Sequence, residues 1–456
     1  MKQLLLTIPD RELLDRHPTD PVLWIDGQRL PRLIQFRQTD RTLMWDHEGA
    51  PSGTLHLQAG LPGLTPLVLH TSILMMRSEP YRLATELVRG QANKFRNLRV
   101  EWERDGWRPS ADLEVYAREA NSQLCHCLHG AGDSSADERA IATLIETIRM
   151  GEAMALHYGR WATAERFAQR INTDWGLQFP TEVHQQNQIL AQSDSLDSVT
   201  LPLRWSEIEK VPGEYDWSSL EREIDACTSA GLSVRLGPIL DFRRDLLPAH
   251  MVEWEGDPQT LVTLLIDCVE TVVHQFADRV SNWIVTHRTN STDSLPLADP
   301  QWEWLTARLL ATGQQIQPAG RFALGVDQPW GWYAGQAGKH VWPVEFIDSI
   351  LRLGVKPAGI YVDFHPGSHP LEPPRTAVDV IKVLTRFRRL ETPLWVHLAG
   401  AFGPTTNVET ITRGVLAKPF VEQLTWDGGS ALGILATLDL ERREAGNLAV
   451  ARPTIG

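Results

Sequence analysis

The sequence predicts an α/β fold in which an eight-stranded (β/α) barrel follows an N-terminal β-rich region and a helical connector. Three observations predict it. Short strand-like runs crowd the first part of the chain, helical period takes over near Pro80, and after Thr173 apolar runs alternate with helical stretches. A length of 456 residues suits two or three domains, and 42% apolar with 22% charged residues is a globular composition.

The first region is taken as 1–78, a small sandwich-like domain. Val22-Leu23-Trp24-Ile25 runs into Asp26-Gly27, a hairpin signal. Arg32–Phe36, Thr42–Trp45, Gly53–Leu57 and Leu67–His70 follow at short intervals, as strands of a small sandwich or barrel do. The connector spans 79–173. It opens with Tyr81–Val88, and Ala140–Phe167 reads as two further helices behind the loop Gly130–Ser135, with Ser135 or Asp137 as N-cap.

The barrel is placed at 174–445. Its strands are Gly176–Phe179, Val199–Arg204, Ser233–Gly237, Trp283–Thr286, Phe322–Val326, Gly359–Val362, Leu394–His397 and Val421–Thr425. Helical stretches intervene, among them Ser218–Ser229, Gln259–Phe276, Trp302–Gln315, Val344–Leu353, Thr376–Leu390 and Thr406–Leu416. That count in this length is what closing such a barrel takes. An open doubly wound sheet is disfavoured because no GxGxxG turn follows any strand.

Charge and cysteine usage narrow the function. A net charge of −13 argues against a nucleic-acid partner, and the densest basic group, Arg386, Arg388 and Arg389, reads as one solvated helix face. Of four cysteines, Cys227 and Cys268 sit in apolar helical patterns and read as buried thiols. Cys125-His126-Cys127-Leu128-His129 has no second ligand pair, so no metal is expected there, and no cofactor elsewhere. The three-leucine run after Gln3 is too short for a secretory core, and no window spans a bilayer. The expectation is a cytoplasmic protein with no membrane or nucleic-acid partner; its protein partners are left open.

Active sites of such barrels lie on the loops after the strands. There the sequence offers Thr181-Glu182, Trp205, Asp241, His287-Arg288 with Asn290, Asp327 through Gly331, Asp363-Phe364-His365, His397 and Trp426-Asp427. Carboxylates, imidazoles and indoles at one rim suit a carbohydrate ligand, whose rings stack on indole and whose hydroxyls pair with Asp, His and Asn. Thirteen of the 17 tryptophans fall between Trp161 and Trp426, where core packing is the ordinary role. Trp330 stands apart because Pro329 and Gly331 put it on a loop.

The segment Leu203-Arg204-Trp205-Ser206-Glu207-Ile208-Glu209 through Gly213 and Trp217 resembles the second-strand motif of glycoside hydrolase family 10, the xylanase family. Val234–Gly237 with Leu247-Pro248 looks like its third strand, and Phe276–Val285 is similar to its approach to the acid/base strand. The resemblance covers roughly 175–440. It implies a barrel with an Asn-Glu acid/base pair ending the fourth strand and a nucleophile Glu on the seventh. The matching positions here are His287-Arg288 and His397. Asp363-Phe364-His365 stands for the family's Gln-x-His, Gly237 and Asp241 for its third-strand His and Trp, and Thr200-Leu201 for its Glu-Asn.

Retaining hydrolysis needs a nucleophilic carboxylate and a carboxylic acid about 5 Å apart, and Arg donates no proton at neutral pH. The family's own mechanism is therefore not expected. Two readings remain. An O-glycosyl hydrolase would use a relocated carboxylate pair, with Asp363 as nucleophile or base and Asp241 as acid. Trp205, His287, Asp327, Trp330, His365, His397, Trp426 and Asp427 would bind substrate. Alternatively, the barrel is a non-catalytic glycan-binding or scaffolding body, with each Asp capping a helix or in an ion pair.

Overall fold

In the computed structural model the described residues are all except 1, 10–20, 27–30, 48–50, 130–134, 255, 293, 296, 336–340, 370, 401–407 and 451–456. The first strands form two sheets. One runs Arg37–Thr39, Thr42–His47, Lys2–Thr7 and Tyr81–Arg82; the other Pro31–Ile34, Val22–Asp26, Ser52–Leu61 and Leu64–His70, with Leu74–Met75 also on Ser52–Leu61. Burial alternates along Ser52–Leu61, so one face of that strand turns inward. Leu4, Leu6, Trp24, Leu55, Leu57 and Leu69 share one core between the sheets, where Trp24 and Trp45 meet at 5.3 Å. The antiparallel pair expected at Asp26-Gly27 forms between Val22–Asp26 and Pro31–Ile34; the turn itself lies outside the described residues.

Helices Leu83–Arg104, Ala111–His129 and Ala136–Ala168 follow. The expectation of two helices within Ala140–Phe167 is corrected: one helix of 33 residues runs through. Its internal glycines are packing sites rather than breaks. A Cβ on Gly151 would fall 2.1 Å from the Phe95 ring, and one on Gly159 2.8 Å from Arg413 Cβ. Ser135 occupies the N-cap position of this helix, and most of the loop before it lies outside the described residues. Cys125 is exposed and Cys127 buried on the middle helix; Cys227 and Cys268 are buried. Among the described residues no helix is long and apolar enough to cross a membrane.

The barrel closes. Its eight parallel strands are Asp174–Gln178, Ser198–Leu201, Ser233–Leu236, Asn282–His287, Arg321–Val326, Gly359–Phe364, Leu394–Leu398 and Val421–Asp427. The first pairs with the eighth, as in Gly176 with Thr425, and the third with the fourth, as in Leu236 with Trp283. All eight contain the core of the run read from sequence. Helices Ser218–Ser229, Pro258–Phe276, Asp299–Ile316, Pro343–Arg352, Ala377–Phe387 and Val408–Leu416 alternate with them. Asp257 caps one by accepting from the Gln259 and Thr260 amides, and Thr376 with Asp379 forms a capping box on another.

Two attachments position the rest of the chain. The long helix packs on Val408–Leu416, and buried Arg166 donates to the carbonyls of Leu416, Lys418 and Val421. The N-terminal sheets reach the loops after the fifth and sixth strands. There the Val68 amide donates to the Pro374 carbonyl at 3.0 Å, and Gly335 lies so close to Leu33 that a Cβ would fall 3.0 Å from its amide nitrogen.

Candidate functional site

Register determines which side chains meet at the carboxyl end of the barrel. Ile284, Ala323, Tyr361 and Trp395 form one interior layer. Two residues further along their strands, Gly325, Asp363 and His397 occupy the next, because every second residue faces inward. Gly325 brings no side chain to that layer, and a register irregularity between Ile284 and Thr286 brings in His287 from the fourth strand. His397 and Asp363 are cross-strand partners. Gly237, at φ +128° with Ile284's carbonyl 2.3 Å from where a Cβ would sit, lets the chain turn out of the third strand. The short strand Leu240–Asp241 then sets Asp241 beside His287.

One buried polar network results. The His397 Nδ1 lies 2.9 Å from Asp363 Oδ1. His287 sits between two carboxylates, with Nδ1 3.3 Å from Asp241 Oδ2 and Nε2 3.3 Å from Asp363 Oδ2. The Arg288 guanidinium reaches three: Nε is 3.2 Å from Asp241 Oδ1, Nη1 3.2 Å from Asp327 Oδ2, and Nη2 3.9 Å from Asp363 Oδ2. Asp327 also accepts from the Ser291 hydroxyl, and Asn290 bonds both its amide and its carbonyl. Tyr361 floors the network, stacked under His397 and edge-on to His287.

The electrostatics follow from burial and pairing. Burial alone would lower His287, but Asp241 and Asp363 outweigh it and raise the imidazole to about 9. Burial would raise Asp363 and Asp241. Hydrogen bonds from His287 and His397 overcome it at Asp363, and His287 with Arg288 does so at Asp241, so both carboxyls are held low. The working state is thus carboxylates against an imidazolium and a guanidinium. Arg288 has φ +69° and Gln328 φ +45°, a left-handed backbone at the ends of adjacent strands that a non-glycine residue adopts only at a cost.

The proposed site residues divide. Asp241, His287, Asp327, Asp363 and His397 meet; Asp427 is exposed at the end of the eighth strand, near enough to raise the half-buried His365, which burial lowers more. The three tryptophans are corrected. Trp330 is only 8% exposed, edge-on to Phe364 with the Arg375 guanidinium 4.6 Å over its ring, because the fifth loop folds back under the N-terminal sheets. Trp205 is buried and donates to the Glu209 carboxylate. Trp426 points outward to Thr412 Oγ1 at 3.1 Å. None of these indoles presents an open face for a sugar ring. Asp241, expected as the acid, is held below the ordinary carboxyl range by His287 and Arg288 against burial.

Sequence reasoning missed Glu372. It is buried in the loop after the sixth strand, accepts from the His365 amide at 3.3 Å, and is raised well above the usual carboxyl range by burial and by Asp363. No motif or spacing marks it; only its membership of a strand-to-helix loop at the rim gave a signal.

No protein-family model and no curated protein matches the chain. Solved structures do. Native xylanase 10B from Thermotoga maritima aligns at 14% identity over 62% of this chain and 98% of that one, with a TM-score of 0.47. Xylanase 10B from Thermotoga petrophila RKU-1 in complex with xylobiose aligns at 15% identity over 57% and 84%, at 0.43. An endo-1,4-beta-xylanase from Penicillium canescens gives 12% identity over 57% and 85%, at 0.45.

Proposed function

We propose that this chain is a non-catalytic barrel of glycosidase-like pattern whose rim serves as a locked structural body, presenting the attached sheets and helices to a partner. The observation that carries this reading is Arg288. At the position matching the family's acid/base, its guanidinium stands within 3.9 Å of three carboxylates that a relocated mechanism would draw on. Glycoside hydrolysis requires one carboxyl to be protonated and another free to attack. Asp241 and Asp363 are both held ionised and both paired, which leaves no acid–nucleophile pair between them.

The test is release of reducing sugar from xylan and from a panel of α- and β-linked oligosaccharides. None above the buffer control is expected. Release that disappears in Asp363→Asn would overturn the proposal.

A second reading, glycan binding without hydrolysis, has its own support. The buried Nε2 of His397 has no hydrogen-bond partner among the described residues, and Asp427 is exposed two residues beyond its cross-strand partner Thr425 on the eighth strand. A glycan array comparing wild type with His397→Gln and Asp427→Asn decides it. Binding lost in both variants supports the lectin-like role, and no binding by wild type leaves the structural one.

A further inference from the structure

At the opposite end of the barrel the helical segment and the strand-entry loops enclose a cavity of about 560 Å³. Its walls are the end of helix Leu83–Arg104, the second half of helix Ala136–Ala168 and the stretch 416–420 before the eighth strand. An adjoining space of about 340 Å³ shares Arg166, Arg388 and Phe420 with it. The larger volume lies within the range of small-molecule sites.

Two features of the lining point to a ligand. The first is Lys418, 7% exposed, whose ammonium makes no hydrogen bond or ion pair among the described residues. Glu101 and Asp105 raise its affinity for a proton from a distance, against a larger lowering by burial. The ammonium lies in the cavity lining with no side chain matched to it, and an anionic group in the cavity would supply that match. The second is an aromatic wall. Trp102 lies flat on Tyr158 at 4.5 Å, and half-buried Trp161 stands 6.0 Å from the same ring. The Trp102 indole N–H is buried and unpartnered as well. Glu101, Asp105 and Glu165 are exposed, as are Arg104 and Arg388, so the outer part of the lining carries both signs; the buried charges are Lys418 and Arg166, and Arg166 is held by backbone carbonyls.

We propose that this cavity binds a small organic anion, a carboxylate or phosphate carried on a flat ring, with Lys418 meeting the anion and Trp161 the ring. The inference is independent of the rim's role. Calorimetric titration of the full chain with indole-3-carboxylate and with phenyl phosphate tests it, 3-methylindole serving as the neutral counterpart. Saturable binding is expected for at least one anion, with the neutral ring at least about tenfold weaker, the scale of one charge-assisted contact. Lys418→Met should lose at least about tenfold in affinity while Lys418→Arg keeps most of it, and Trp161→Ala should weaken the ring-bearing anion more than inorganic phosphate. Which anion binds more tightly identifies the source of the charge. The absence of saturable binding by either, or equal binding of anion and neutral ring by wild type, overturns the proposal without any variant needing to fold.

Discussion

The two ends of the barrel handle charge in opposite ways. At the carboxyl end, where this architecture carries chemistry, Asp241, Asp327 and Asp363 are matched to Arg288 and His287, and the side chains are buried or nearly so. At the amino end, Lys418 is buried beside an open cavity with no partner in contact. At the rim the charges stand within ion-pair distance of one another, whereas an unpaired charge next to space is where a ligand lowers the free energy. Rim position and state of pairing thus point to different ends of the barrel.

The strongest way to break that contrast is to remove the guanidinium. Arg288→Met keeps the aliphatic stem and leaves three carboxylates without their shared cation. The expected loss is about 3–5 kcal/mol, the cost of stripping one partner from a buried ion pair. Relief of the left-handed φ does not offset it, because Met pays the same strain. Denaturant unfolding measures it, and a loss under about 1 kcal/mol, typical of exposed pairs, would mean the rim is wet and unlocked. Adding Asp327→Asn to Arg288→Met should cost less than the sum of the two singles, since they share one interaction.

Next in size is Trp330. As a substrate platform it would affect binding and leave stability alone. As a core residue wedged between Phe364 and Arg375, Trp330→Ala should cost about 3 kcal/mol or more. A melting temperature within error of wild type would return the residue to the rim.

The third test uses pH. His287 is raised to about 9 in the fold against about 6.5 unfolded, so the folded protein holds the proton more tightly. Its contribution, about 3 kcal/mol as an upper bound, is fully present below pH 6.5 and is lost as pH rises through about 9. Asp363 and Asp241 act in the reverse sense. Their folded values lie below the unfolded one, so their contribution is present above about pH 4 and fades as pH falls further. Unfolding free energy followed from pH 5 to 9 should decline between about 6.5 and 9 in wild type and decline less over that window in His287→Gln. A flat wild-type curve over that window would contradict the imidazolium assignment.

These tests also mark what the sequence made legible. The eight barrel strands could be read because parallel strands buried on both faces are short apolar runs between helical stretches. The meeting of Asp241, His287, Asp363 and His397 was legible from strand-end positions alone. Pairing was not. Whether Arg288 points to solvent or into three carboxylates depends on a left-handed residue at the strand end, which one sequence does not reveal. Trp330 misled for a related reason: Pro329 and Gly331 do mark a loop, but the loop is covered by sheets about 300 residues earlier in the chain. Glu372 and Lys418 carry no motif, since burial of a charged side chain is a tertiary event.

The smallest expected effect sharpens the comparison from within the rim. Asp427 is an exposed carboxylate there, and its field raises His365 against a larger lowering by burial. Asp427→Asn should change stability by less than about 0.5 kcal/mol, as surface substitutions do. It should also move the His365 titration, followed by NMR, further below its ordinary value. If the variant instead costs as much as a buried pair, the ion-paired network extends to the eighth strand, and Asp427 is not free to meet a ligand.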